Sequence, residues 1–320
     1  MRTVKVISTG GTIGNTLDGR VSIEDVLADI ERSHPTESAR LHATLEVEEL
    51  LRTGAESFVP EDWQTIGRAV SSAVARDDVD GVVVTHGTFT AEITAYFLHL
   101  SISTRKPIVV VSSQRKHGTV GNDGDRNLVD AVRVAADPQI SGMGVMVVLN
   151  EEIHSARDVT KTSRRPSGFR SNHSGILGTA CEDGVVIYRA PTRRHTHASE
   201  FSVPGGDIPR VDIVATYAGA DGVAVDAFRG AGARGIVVNG FSYSGKPHEN
   251  QRPALDQAID DGIAVVLVNR GGDGRMPVPE IADGYIRGDN LTAQKARVLL
   301  GLALTTTSES GELQRIFSEY

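Results

Sequence analysis

Cysteine is almost absent. Cys181 stands alone among 320 residues, which excludes an intramolecular disulfide and a cysteine-based zinc centre. It sits in the turn-like segment GTACEDG with no paired base nearby, the setting of a structural thiol rather than a nucleophile. No stretch approaches about 20 uninterrupted apolar residues, so no membrane span is expected. The opening MRTVKVISTGG lacks the apolar core of a leader and runs directly into a strand-like segment, so the chain is expected to be cytoplasmic. No run of Lys and Arg offers a track for phosphates. With a formal net charge of -8, a nucleic-acid partner is not expected, and the charge is read as plain solubility. Repeats and low-complexity tracts are missing as well.

What remains is an ordinary globular composition, 39% hydrophobic and 23% charged, long enough for two domains. Short apolar runs recur at Val4 to Ile7, Gly81 to Thr85, Pro107 to Val111, Gly144 to Leu149, Gly235 to Val238 and Gly262 to Val268. Continuous rather than alternating, they predict strands buried on both faces. Between them, helical spacing is read at Glu61 to Arg76, Glu92 to Ser101, Asn127 to Ala136, Pro253 to Asp261 and Thr292 to Thr305. Strands alternating with helices predict an α/β protein with mostly parallel sheets. The polar stretch APTRRHTHASEFSVPGGDIPR reads as an interdomain connection. The expected domains are a larger one over 1–190, a connection over 191–210 and a smaller α/β domain over 211–320.

In open parallel sheets ligands bind where strands give way to loops. Two such loops place a hydroxyl beside glycines: Ser8-Thr9-Gly10-Gly11-Thr12 and Thr85-His86-Gly87-Thr88. Glycine permits close backbone approach and aims N–H groups at a bound atom, as needed to attack a carbonyl and hold the oxyanion. Neither loop fits GxGxxG or a Walker motif. Spacing alone leaves nucleotide binding and hydroxyl-based hydrolysis level.

Together the two loops resemble the signature motifs of the bacterial L-asparaginase/glutaminase family. The likeness continues through Arg157-Asp158-Val159-Thr160-Lys161-Thr162, the segment from Asn127 to Asp137, Gln294 to Leu300, Leu302 to Thr305, and Ile316-Phe317. It therefore spans nearly the whole chain in order. The resemblance implies a large and a small α/β domain, a homo-oligomer that is a dimer of dimers, and amide hydrolysis through an acyl-threonine with no metal or other cofactor. By position it implies Thr12 as nucleophile, Thr88 as second threonine and Lys161 as its partner, with Gly11 and Gly87 in the substrate-binding loops. A threonine hydroxyl needs a base, and a lysine serves if burial lowers its pKa. The bland alternatives are a loop-capping Thr12, a helix N-cap at Thr88, and at Lys161 a solvated lysine or an ion pair with Asp158.

Departures from the family pattern fall on one side of the pocket. Phe89 stands where the family has the aspartate that holds the substrate's amino group, a loss of about 3–5 kcal/mol if the position is buried. Ala55 and Glu56 replace a serine and a polar residue beside the substrate carboxylate. No tyrosine precedes Tyr96, and Arg20 occupies roughly the place of the family's activating tyrosine. Pro277 aligns with an acidic residue of the C-terminal domain, with Glu280 nearby, and Gly240-Phe241-Ser242-Tyr243-Ser244-Gly245 replaces an Asn-bearing loop. The reaction centre survives while the head-group contacts do not. The expectation is a small-molecule amide other than free L-asparagine, with Phe89 and Phe241 giving apolar contact and Glu56 or Arg20 reading a charge. The alternatives are an ordinary asparaginase or glutaminase, and a non-catalytic ligand-binding protein on the same scaffold.

Other constellations carry less. Asp123-Gly124-Asp125 lacks EF-hand spacing and reads as a turn. His195 and His197 are expected to be exposed linker histidines rather than metal ligands. Gly240 to Ser244 lacks the second glycine of a nucleophile elbow. His86 is read as a structural hydrogen-bonding residue.

Overall fold

The computed structural model describes residues 1–171, 174–272, 274–277 and 284–320. The chain divides into two compact units, Met1–Val203 and Pro204–Tyr320. The division falls inside the polar stretch read as a connection.

In the first unit, β1 (Thr3–Ser8), β2 (Thr44–Glu49), β3 (Gly81–Thr85), β4 (Ile108–Val111) and β5 (Val145–Leu149) are parallel in the order β2-β1-β3-β4-β5. Every residue of β3, β4 and β5 is buried, as their unbroken apolar runs require. Burying each such valine is worth about 1.5–3 kcal/mol. Antiparallel strands then extend the sheet: β6 (Glu152–Ser155), β9 (Gly178–Cys181) and β10 (Gly184–Ile187). A separate hairpin pairs β7 (Thr160–Lys161) with β8 (Phe169–Arg170).

Helices α1 (Ile23–Ser33), α2 (Pro60–Val74), α3 (Ala91–Ser101) and α4 (Gly124–Ala136) complete this unit. Ser22 and Asp25 form a reciprocal capping box on α1. The Asp62 carboxylate caps α2 by accepting from the Val59 N–H at 2.9 Å. The expected strands and helices of this unit are all present and differ at most at their ends, but α1, β2 and the antiparallel strands were not anticipated. β2 reads TLEVEE, an edge strand whose acidic residues face solvent and suppress the apolar signal.

The second unit carries a parallel sheet in the order β11 (Val211–Ala215), β12 (Gly235–Gly240), β13 (Ala264–Asn269), β14 (Tyr285–Arg287). Its helices are α5 (Val223–Gly230), α6 (Arg252–Asp260), α7 (Ala293–Ala303) and α8 (Ser310–Glu319). Among the described residues no helix is long and apolar enough to cross a membrane.

Two readings need correction. His195 is not exposed: it is buried, its ring 5.0 Å from that of His99, while His197 is exposed. The polar letters around it concealed a segment that packs on the first unit, with Thr196 and Phe201 also buried. Cys181 closes strand β9 rather than lying in a turn, and its carbonyl accepts a hydrogen bond from Arg133.

Candidate active site

The strand order β2-β1-β3-β4-β5 reverses direction between β1 and β3, a topological switch point at which a crevice opens at the strands' carboxyl ends. The loops that leave those two strands are the two Gly–Thr loops. They are joined at the root, because Thr9 donates both its N–H (3.1 Å) and its hydroxyl (2.8 Å) to the Thr85 carbonyl.

Glycine is obligatory at the next step. Gly11 has φ 94 and ψ 175, a region open essentially to glycine alone. A Cβ there would stand 2.7 Å from the Gly87 nitrogen and the His86 carbonyl. A Cβ on Gly87 would in turn stand 2.5 Å from the Cβ of Ala55. Three short segments thus meet closely, the first two main chain to main chain, and Gly11, Gly87 and buried Ala55 lie together.

Thr12 opens a short 3-10 turn, Thr12–Gly14, and is half-buried. Its hydroxyl has no hydrogen-bond partner among the described residues. Thr88 is not the cap of α3; Thr90 holds that position and gives its hydroxyl to the Ala55 carbonyl at 3.0 Å. The Thr88 hydroxyl instead accepts from Lys161 Nζ at 2.8 Å. Nor does Lys161 pair with Asp158, whose carboxylate takes Arg157 at 3.2 Å. Burial pushes the Lys161 ammonium below its ordinary pKa, with the charge of Glu92 opposing in part. A hydroxyl beside a lysine disposed to lose its proton is an arrangement for moving protons.

His86 holds the second loop. Nδ1 lies 2.8 Å from the Gly87 carbonyl, which only accepts, so Nδ1 carries the hydrogen and Nε2 accepts from Thr94 at 2.9 Å. Full burial lowers its pKa to about 4, the Gly87 bond opposing, so the ring is neutral and both nitrogens are occupied. Sequence reasoning missed the next layer. Ser112 donates to the His86 carbonyl at 2.6 Å, and Asn127 Nδ2 donates to the Ser112 carbonyl at 2.9 Å. A buried asparagine on the sheet-facing side of α4 is the signal that would have found it.

The replaced head-group positions are also placed. Phe89 is 67% exposed, and Lys161 Nζ lies 4.9 Å from its ring centroid. The position is therefore not buried, and an ion pair there is worth up to about 1 kcal/mol rather than 3–5. Glu56 is exposed and curls over its own turn, its carboxylate 2.5 to 2.8 Å from where a Cβ on Gly54 would stand. Arg20 donates Nε to Asn15 Oδ1 at 3.1 Å and Nη1 to the Arg52 carbonyl. Nη1 lies 3.4 Å from the Cβ position of Gly10, so Arg20 buckles the first loop to the segment after β2. Phe241 lies in the second unit, with the Arg270 guanidinium 5.1 Å from its ring centroid. Pro277 is half-buried; Glu280 lies outside the described residues. Among the described residues no group of three or more His, Cys, Asp or Glu is placed to hold a metal ion.

Comparison with known proteins converges on one family. The family model described as Asparaginase, N-terminal matches residues 3–193, and the Glutaminase/Asparaginase C-terminal domain matches 210–317. The chain is 36% identical to L-asparaginase 2 of Bacillus subtilis over 99% of this chain and 86% of that protein. It is 35% identical to a glutaminase-asparaginase of Pseudomonas aeruginosa, covering 99% and 90% of the two chains. Among solved structures, a probable cytoplasmic L-asparaginase from Campylobacter jejuni superposes with a TM-score of 0.94 at 33% identity, each chain covered in full. With both halves matched in order on a shared fold, and with the two Gly–Thr loops meeting at the switch point, this chain belongs to the asparaginase family.

Proposed function

We propose that the chain hydrolyses a carbon–nitrogen amide bond through an acyl-threonine on Thr12. The observation that carries this is the 2.8 Å bond from Lys161 to Thr88, with Lys161 desolvated, in the loop packed against Gly11. In the first half-reaction the Thr12 oxygen attacks the amide carbonyl and its proton passes to the Thr88–Lys161 pair. The C–N bond then breaks, and the nitrogen leaves protonated as ammonia or an amine. In the second, water attacks the ester, the carboxylic acid departs and Thr12 regains its proton. Main-chain N–H groups of the glycine loops are suited to hold the oxyanion.

The substrate in this reading is an amide other than free L-asparagine, because Phe89 offers no carboxylate for an ammonium, Ala55 offers no hydroxyl for a carboxylate, and Glu56 would repel that carboxylate. Gly11, Gly87, Ala55, Glu56, Phe89 and Arg20 are the proposed substrate-facing positions. A second reading, L-asparagine or L-glutamine hydrolysis, is favoured by the relatives, which are named as L-asparaginases and glutaminase-asparaginases. Ammonia release from L-asparagine, L-glutamine, their D-forms and a wider amide panel, with Thr12→Ala as control, decides between them. Failure of every amide to react in folded protein defeats the hydrolytic reading and leaves a ligand-binding role. We further propose domains over 1–190 and 211–320, a dimer-of-dimers assembly testable by light scattering, and a cytoplasmic location.

A further inference from the structure

One cavity at the carboxyl edge of the first sheet takes no part in the chemistry above. Its volume is about 650 Å³, and it is lined by Gln114, Arg115, Ser163, Arg164, Arg165 and Pro166. Three of the six are arginines and none is acidic, in a chain whose formal net charge is -8.

Both walls are built. On one side, the turn after β4 is held by Asp123, whose carboxylate accepts from the Gln114 N–H at 3.0 and 3.2 Å, the Arg115 N–H at 2.8 Å and Asn127 Nδ2 at 3.3 Å. That carboxylate is spent on amide donors, and among the described residues the Arg115 guanidinium reaches only the Gly121 carbonyl. On the other side, the loop of the β7–β8 hairpin closes tightly. Ser163 N–H donates to the Gly168 carbonyl at 3.3 Å, Gly168 N–H to the Arg165 carbonyl at 2.8 Å, and Arg165 N–H to Ser163 Oγ at 3.3 Å. A bond of 3.4 Å from Gln114 Nε2 to the Ser163 carbonyl links the walls.

The guanidinium groups of Arg164 and Arg165 have no hydrogen-bond or ion-pair partner among the described residues. Several other arginines do hold acidic partners: Arg40 with Glu24, Arg76 with Glu46 and Asp78, Arg229 with Asp261, Arg315 with Glu312. Unpaired forks gathered around one cavity match the geometry of phosphate and carboxylate groups. Ser163 is two residues from Lys161, about 7 Å along an extended chain, so the cavity adjoins the reaction centre.

We infer that this cavity is an oxyanion-binding site, taking a phosphate or carboxylate group on the guanidinium groups of Arg164 and Arg165 with Arg115 at its floor. The group is supplied either by a free anion or by the acidic end of the amide substrate; the second source rests on the hydrolytic reading.

The test titrates inorganic phosphate and citrate into the full chain at low salt by calorimetry, alongside Arg164→Ala/Arg165→Ala, whose exposed loop positions leave folding intact. Saturable binding that weakens about tenfold or more in the double variant, and with added salt, is the expected result. Absence of saturable binding, or equal affinity in the double variant, overturns the site. A second arm compares paired amides, one ending in a carboxylate or phosphate and one neutral. A KM increase confined to the acidic amide, with phosphate competing, assigns the group to the substrate. Phosphate binding without that selectivity assigns it to a free anion. If no amide is hydrolysed, the hydrolytic reading fails while calorimetry still decides the site.

Discussion

The ammonium of Lys161 stands 4.9 Å from the centroid of the Phe89 ring. An aromatic face attracts a cation, but less strongly than a carboxylate does. Burial therefore keeps the upper hand, and Lys161 sits below its ordinary pKa. Replacement Phe89→Asp changes both sides of that balance. The Lys161 pKa rises, and the limb of the pH–rate profile that reports its deprotonation moves to higher pH. The same change lowers KM for L-asparagine by on the order of fivefold, the worth of an exposed ion pair. Unchanged profile and KM would separate position 89 from both roles.

Removing the lysine itself gives a different signature. Lys161→Met lowers kcat by about 10²- to 10⁴-fold, the usual contribution of a positioned proton-transfer group. KM changes little, and the far-ultraviolet dichroism is retained. A loss expressed in KM instead would make Lys161 a binding residue.

Gly11→Ala couples structure to activity. The backbone there lies in a glycine-only region, and the new methyl meets the main chain of His86 and Gly87 at 2.7 Å. The expected cost is at least about 1–3 kcal/mol, with activity lost because the two loops are forced apart. Denaturant melts and rate measurements on the same preparation check both effects. Gly19→Ala, where a Cβ meets no atom within 4 Å, is the control for positive φ without a close approach.

His117 gives a pH dependence of stability. Its Nδ1 lies 2.8 Å from Asp125 and its Nε2 3.3 Å from Asp29, joining α4 to α1. Burial alone depresses its pKa, but the hydrogen bonds and charges of Asp125 and then Asp29 outweigh that and raise it. Arg32 faces the same Asp29 carboxylate from α1. A raised folded-state pKa means the stabilisation is fully present below the unfolded value of about 6.5. It is lost as pH rises through the folded value. The Tm difference between the parent and His117→Gln should therefore shrink as pH rises above about 6.5; a constant difference would contradict the clamp.

The buried parallel strands were legible because burial on both faces leaves an unbroken apolar run, as in Gly81 to Thr85. Their order was not, since nothing in a run of valines says which neighbour it pairs with. β2 escaped notice for the opposite reason: an edge strand carries Glu46, Glu48 and Glu49 toward solvent. At the site, Thr12, Thr88 and Lys161 were named from resemblance; the helix-cap reading of Thr88 and the Asp158 pairing of Lys161 gave way only to geometry, which sets Lys161 on Thr88. The depth of position 89 was misjudged because a sequence does not report exposure. His195 was misjudged likewise, its burial depending on a distant partner, His99.

The close approach of Gly11 to Gly87 separates two kinds of heritable change. What fixes the spacing of the threonine loops is main chain and hydrogen atoms. At positions 56 and 89, proposed to face the substrate, what is exposed is side chain. Lineages and engineers can therefore redraw the guest list of this crevice at positions 56 and 89 while the spacing of the threonine loops is inherited intact, whereas changes at Arg20 or buried Ala55 also disturb the loops they hold.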